Sequence, residues 1–226
     1  MSKREKEIGA LPLSEAFDRV YEQRMWQQGS ALSGVGSEGP WAERYVTLVR
    51  EYLAEHKPTC VLDAGCGDFS VGRLLCDLPP RYVAADVSAY ITSLNRERYS
   101  HLTQVEFLQL DLTSDDLPAA DVVLVRQVLQ HLTNQQIEAA LSNLERQLPA
   151  SRVIIAEEVA TGSAFARPNI DLPSQSVRTR TWFGSGVFPS EPPFLRPMRL
   201  LATIAGTDDK SSMNIYEWPP AGHSND

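Results

Sequence analysis

The stretch Val61-Leu62-Asp63-Ala64-Gly65-Cys66-Gly67-Asp68 decides the fold. A short apolar run ends in an acid, two glycines follow one residue apart, and a second acid closes the turn. This reads as a buried strand that breaks into a tight glycine turn. The pattern from Ser70 predicts a helix over about 70–77, closed by Pro79-Pro80. Strand, glycine turn and helix in that order make a nucleotide-type pocket.

Further strands and helices follow at short intervals. Tyr82 to Asp86 reads as a second buried strand. Ser88 can cap a helix over about 89–99, with Ile91 and Leu94 inward. Val105 to Leu110 reads as a third strand, ending at Asp111, and Asp121 to Val125 as a fourth. Thr133 to Gln136 has capping-box spacing, and Ile137, Ala140, Leu141, Leu144 and Leu148 trace one helical face stopped by Pro149. Arg152 to Ala156 reads as a fifth strand, followed by Glu157-Glu158. The alternation predicts an α/β fold, a Rossmann-like doubly wound sheet. Residues 160–195 show no long periodic segment; a stretch of that length is usually functional or mobile. Met198–Ala205 and Ser212–Trp218 read as two last strands, antiparallel, joined through Gly206 to Asp209. The tail after Pro219 reads as loose.

Upstream, residues 1–12 read as a frayed arm. Ser14 caps a helix whose inward face carries Phe17, Val20, Tyr21 and Met25 and which Gly29 ends. A small-residue loop, Gln28 to Ser37, precedes a helix opened by Pro40 with a stripe of Trp41, Tyr45, Leu48, Val49, Tyr52 and Leu53, and Pro58 follows it. Residues 1–58 are thus an N-terminal helical cap with a covering loop, and 59–226 the core, within one compact domain.

Composition bounds the function. The chain has 226 residues, 42% hydrophobic and 22% charged, a globular balance. Its formal net charge of −8 disfavours broad contact with nucleic acid, which needs a basic footprint. No apolar run reaches the roughly 20 residues of a membrane helix. The mixed-charge start has no secretory pattern. Cys60, Cys66 and Cys76 are odd in number and lack metal-ligand spacing, which suits reduced thiols in a cytoplasm and argues against a metal site.

The turn also selects its nucleotide. A dinucleotide fingerprint needs a third glycine where this chain has Ser70. Asp68 stands where a pyrophosphate would dock on backbone N–H groups, and a carboxylate there repels phosphate. No P-loop motif exists. A phosphate-free nucleoside carrying positive charge fits better.

At this point the chain resembles the class I S-adenosylmethionine-dependent methyltransferases. Val61 to Gly67 matches their first motif, and the resemblance covers about residues 59–156 in four motifs. It implies seven strands, the last antiparallel. It implies cofactor contacts from Asp63, Gly65, Cys66 and Gly67. Asp86 would hold the ribose hydroxyls beside Val87, Asp111 would read the adenine amino group, and Leu112 would offer its N–H to the ring. Arg126 to Leu132 would lie beside the transferring methyl, with Arg126 and Gln127 also toward the cofactor. A narrower resemblance is to a bacterial subgroup of small methyltransferases with an S-G-x-G-S loop, here Ser33 to Ser37, and a P-F-x-x-P segment, here Pro193 to Pro197. The chain departs from that subgroup at Gln127 and at Glu157-Glu158, both on the expected acceptor side.

Candidate roles follow. Methyl transfer from a sulfonium is an in-line displacement that mainly needs positioning, and a base only if the acceptor must lose a proton. His131 is a candidate base or a local hydrogen-bonding residue. Arg126 is a candidate clamp on an anionic acceptor or the cofactor carboxylate, or one half of an ion pair with Asp63 or Glu157. Ser33 and Gly34 can close over the cofactor's amino-acid end, or serve as linker. Trp26, Glu157, Trp182 and Phe194 are the candidate acceptor residues, with Trp182-Phe183-Gly184 as a lid; the alternative is core and strand-end packing. The expected reaction is methyl transfer to oxygen or nitrogen of a small-molecule acceptor, releasing S-adenosylhomocysteine. The alternatives are cyclisation or aminocarboxypropyl transfer from the same cofactor, or cofactor binding without turnover.

Overall fold

The structure is a computed structural model that describes residues 2–27, 30–206 and 209–218. The expected helix stop at Gly29, the centre of the turn between the last strands, and the tail after Pro219 lie outside the described residues.

Five helices and seven strands are described: α1 (Lys3–Gly9), α2 (Leu13–Glu22), α3 (Gly39–His56), β1 (Cys60–Ala64), β2 (Arg81–Asp86), α4 (Ala89–Arg98), β3 (Val105–Gln109), β4 (Val122–Arg126), α5 (Asn134–Gln147), β5 (Arg152–Ala160), β6 (Arg199–Ala205) and β7 (Ser211–Trp218). The strands form one sheet in the order β3-β2-β1-β4-β5-β7-β6. β1 pairs with β2 and β2 with β3 in parallel, while β7 runs antiparallel to both β5 and β6. The doubly wound expectation and the reversed last strand both hold. The chain divides into two compact units, Met1–Asp111 with Pro118–Leu124, and Leu112–Leu117 with Val125–Asp226.

In the first unit, β1 is buried along its whole length, as a central strand of apolar residues should be. Ser88 caps α4 by accepting from the Ile91 N–H at 3.2 Å. Asp18 of α2 reinforces that cap: its Oδ1 accepts from the Ser88 hydroxyl at 2.6 Å and the Tyr90 N–H at 2.9 Å. In the second unit Thr133 and Gln136 form the capping box read from the sequence.

Four local expectations are corrected. Residues 3–9 are helical, because Ser2 and Glu5 make a reciprocal capping box, so the arm is not frayed along its length. α2 starts at Leu13 with Pro12, not Ser14, at its N-cap. β5 runs on to Ala160, so Glu157 and Glu158 lie within the strand. No α-helix forms over 70–77; there is a short 3-10 turn at Gly72–Leu74. Phe69 takes a left-handed φ of 62° before it, and the Leu74, Leu75 and Leu78 amides bond three residues back.

The cause is the Phe69 ring. It is fully buried and meets Tyr82, Tyr99 and Phe107 edge-to-face. Gly72 lies directly on it: a Cβ there would stand 2.4 Å from Phe69 and 2.7 Å from Asp63 Oδ2. Gly72→Ala is therefore expected to cost about 1–3 kcal/mol of folding stability, the range for overpacking. An unchanged denaturation midpoint would contradict this contact.

Candidate active site

The turn after β1 is held by backbone. The Gly65 and Cys66 amides donate to the Ala85 carbonyl at 2.8 and 2.9 Å. The Gly67 amide donates to Asp86 Oδ2 at 3.0 Å, and the Ser88 amide to Oδ1 at 2.9 Å, so Asp86 is a buried carboxylate clamped on both oxygens. Asn95 of α4 donates to the Gly67 carbonyl at 2.7 Å. Tyr82 donates its hydroxyl to Asp63 Oδ2 at 2.9 Å.

The S-G-x-G-S loop meets this turn. The Asp68 amide donates to Ser33 Oγ at 2.8 Å, and the Leu32 amide to Asp68 Oδ2 at 2.7 Å. Asp68 Oδ1 accepts from both the amide and the hydroxyl of Ser70 at 3.2 and 2.7 Å. Asp68 thus ties the Leu32 and Ser70 amides to the turn, although no helix N-terminus stands there, since 70–77 is not α-helical. Tyr21 of α2 is buried and hydrogen-bonded to Ser33, and its ring packs edge-to-face on half-buried Trp26 at 5.7 Å. Gly34 lies over Trp26, whose Cβ a new Cβ at Gly34 would meet at 3.7 Å.

The electrostatics of the turn are one-sided. Burial pushes the Cys66 thiol well above its ordinary pKa, and Asp86, Asp63 and Asp68 push it further. Burial also raises the Tyr21 phenol, with Asp86, Asp68 and Cys66 adding to it against the Ser33 hydrogen bond. Burial raises the Asp86 carboxyl to about 6, opposed by the Ser88 and Gly67 amides. Val87 and Asp111, at the ends of β2 and β3, are half-buried.

The second unit carries the other expected residues. Leu112 is buried, and its carbonyl accepts from Asn143 at 3.1 Å. Arg126 ends β4, half-buried. Gln127 follows with a left-handed φ of 53° and donates its amide to Ala156 at 2.8 Å. A non-glycine residue in that region is a strained position of the kind that gathers at functional sites.

Glu157 is fully buried, and its oxygens accept from the Val128, Leu129 and Gln130 amides at 3.1, 2.8 and 3.1 Å. The acceptor-side role expected of Glu157 is thereby corrected: its carboxylate is spent on the backbone after β4. Burial pushes it up to about 7, against those three bonds and Arg180. His131 is buried too. Its Nδ1 lies 2.8 Å from the Ser176 carbonyl, which fixes a proton there, and Nε2 lies 3.4 Å from Gln130 Nε2. Burial pushes His131 down to about 4, so it is neutral at physiological pH.

Residues 160–195 divide sharply. Trp182 is 70% exposed, with the Arg178 guanidinium 4.6 Å from its ring centroid. Phe194 is 2% exposed, which corrects its expected place against an acceptor: it belongs to the core. Asn169 organises the segment. Its Nδ2 donates to the Phe188 and Pro192 carbonyls, each at 2.9 Å, and its Oδ1 accepts from the Phe188 amide at 2.8 Å. Sequence reading missed Asn169, Arg180, Asp18 and Asn95. A polar residue inside an otherwise irregular or amphipathic stretch was the only signal they gave. Among the described residues no cluster of His, Cys, Asp and Glu could hold a metal ion.

Known proteins resemble this chain over part of its sequence and in its fold. Residues 62–150 match the family model described as a methyltransferase domain. A search of curated proteins by sequence finds no match. Solved structures share the fold at low identity. The N-methyltransferase NodS from Bradyrhizobium japonicum WM9, in complex with S-adenosyl-L-homocysteine, superposes with a TM-score of 0.64 at 15% identity, over 89% of this chain and 99% of that one. Magnesium protoporphyrin IX methyltransferase (ChlM) from Synechocystis PCC 6803, with bound S-adenosylhomocysteine, gives 0.54 at 18% identity, over 91% and 94%. The methyltransferase domain of bacterial CtHen1-CN gives 0.57 at 18% identity, over 77% and 97%. Residues 62–150 thus match a methyltransferase domain, and the seven-stranded sheet that carries them has the fold of these solved methyltransferase structures.

Proposed function

We propose that this chain transfers a methyl group from S-adenosylmethionine to the oxygen or nitrogen of a small-molecule acceptor. The carrying observation is the glycine turn itself: Asp86 is buried and clamped by the Gly67 and Ser88 amides, with the buried carboxylates of Asp63 and Asp68 on the same turn. The donor set suits a ligand with a sulfonium and an ammonium and repels one with a pyrophosphate. The residues present therefore fit the cofactor. When bound, it supplies an activated methyl group.

Asp86 would accept from the two vicinal ribose hydroxyls, its orientation fixed by the Gly67 and Ser88 amides. Asp63, Gly65, Cys66, Gly67 and Val87 would shape the same cradle, with Asp111 toward the adenine amino group. The α1–α3 region and the Ser33–Gly34 loop would act as cap. From the second unit we propose Leu112, Arg126 and Gln127 as further cofactor residues. We propose His131 as a positioning residue rather than a base, because a buried imidazole held neutral by its surroundings takes up a proton poorly at neutral pH. Exposed Trp182 remains a proposed acceptor contact. Among the described residues no helix is long and apolar enough to cross a membrane. We propose a cytoplasmic setting, consistent with three free cysteines.

Calorimetric titration with S-adenosylhomocysteine, followed by turnover of S-adenosylmethionine over a panel of small hydroxyl and amine acceptors, tests this reading. Release of methylthioadenosine in place of S-adenosylhomocysteine would point to the other bond being broken. Ser33→Ala removes the acceptor of the Asp68 amide and is expected to weaken S-adenosylhomocysteine binding by about 1 kcal/mol. Equal affinities would detach the loop from the cofactor.

A further inference from the structure

Glu157 and Arg180 are buried opposite charges that the proposed reaction leaves without a task. Arg180 is fully buried, and its guanidinium donates to the Ile170 carbonyl through Nη1 and to the Leu132 carbonyl through Nη2, both at 2.5 Å. Glu157 and Asp171 are the carboxylates whose charge acts on it. Each of those carboxylates holds a backbone start: Glu157 the turn at 128–130, Asp171 the Asn134 amide of α5 at 2.7 Å.

Around this pair, residues 169–180 lie along residues 131–136. The Ser176 amide donates to the His131 carbonyl at 2.8 Å, while the Ser176 carbonyl takes His131 Nδ1. Asn134 Nδ2 donates to the Asn169 carbonyl at 3.0 Å, and Gln136 Nε2 to Gln175 Oε1 at 3.3 Å. The irregular segment is a clasp here, and the Arg180 side chain bonds to both of the joined strips. A buried arginine is costly to hold and would not persist without its two carbonyls and its acidic neighbours.

We infer that Arg180 is a positioning residue: by gripping the Leu132 and Ile170 carbonyls, it fixes the Arg126–Leu132 strip for the reaction. The part that concerns the reaction rests on the proposed placement of Arg126 and Gln127 at the cofactor. The clasp itself does not.

Amide hydrogen exchange and S-adenosylhomocysteine calorimetry are read on Arg180→Met, Arg180→Lys, Glu157→Gln and the Arg180→Met/Glu157→Gln double variant. In Arg180→Met, protection of the Ser176, Leu129 and Gln130 amides falls about tenfold or more, the scale of one lost charged hydrogen bond, while the Val83 and Phe107 amides keep theirs. Affinity for S-adenosylhomocysteine falls by a similar factor. Lysine keeps the charge and reaches one carbonyl, so Arg180→Lys falls between wild type and Arg180→Met. The double variant stays worse than Glu157→Gln alone. If the double variant matches Glu157→Gln in both readouts, Arg180 only neutralises Glu157 and the inference is overturned. Should Arg180→Met not fold, Arg180→Lys decides: protection equal to wild type at Ser176 overturns the inference, and a loss there supports it. Wild-type protein that binds no S-adenosylhomocysteine would sink the functional reading, while the exchange data still test the clasp.

Discussion

Asp86→Ala is expected to weaken S-adenosylhomocysteine binding by about 2–4 kcal/mol. A charged acceptor for the ribose hydroxyls contributes about 1.5–3 kcal/mol, and the Gly67 and Ser88 amides lose their shared partner as well. The pH dependence follows from the same group. Burial holds the Asp86 carboxyl at about 6, and only the ionised form accepts from both hydroxyls. Affinity should be level above about pH 7 and fall as pH drops through 6. Asp86→Asn should be weak and show no such fall. The stability sign is opposite. A carboxyl raised above its unfolded pKa stabilises the fold at acid pH, and that contribution is lost as pH rises through about 6. Asp86 therefore costs folding stability at neutral pH, where binding needs it. Calorimetry of wild type and Asp86→Asn between pH 5 and 8 measures the first; denaturation over the same range measures the second. A wild-type affinity that does not change across pH 6 would remove Asp86 from the ribose.

Gly67→Ala is the second large effect. A Cβ at Gly67 would stand 2.3 Å from Ser33 Oγ, 3.1 Å from Ser33 Cβ and 3.2 Å from the Tyr21 hydroxyl, on a backbone with φ of +57°. The left-handed backbone alone costs about 1–2 kcal/mol for a residue with a side chain. The contact then forces Ser33 off the Asp68 amide. The expected result is a loss of about 2–4 kcal/mol in folding stability, with a loss of about 1 kcal/mol in S-adenosylhomocysteine affinity from the displaced Ser33. Gly34→Ala is the control: its φ of +88° is strained too, but a Cβ there meets nothing nearer than 3.7 Å. If both variants lose the same affinity, strain and not the loop contact sets binding.

Much of the frame was legible in the residues. The apolar runs of β1, β2 and β4 can only be central strands, and Ser88 and Thr133 announce their helices through a side-chain oxygen at the right distance from the first turn. Other features depended on contacts between residues far apart in the chain. The expected helix after Ser70 was overruled by the Phe69 ring packed under Gly72. Glu157 read as a strand-end acid because nothing local tells that three amides 27–29 residues upstream converge on it. Phe194 read as an acceptor contact because an aromatic residue in an irregular stretch carries no period from which to infer burial. Arg180 was invisible for a related reason: an arginine is expected at the surface, and its carbonyl partners and acidic neighbours keep it inside.

The reversal of β7 has a consequence for how the molecule is made. β7 lies between β5 and β6, so β6 leaves the ribosome before the strand it pairs with exists. Until residues near Trp218 emerge, the β5 edge is open, with Ile154 and Ile155 beside it waiting for Glu217 and Tyr216. The nascent chain thus carries a sticky border until β7 emerges. A stalled or prematurely ended translation product would bear that border permanently and would be cleared or would aggregate, even with the whole glycine turn already in place.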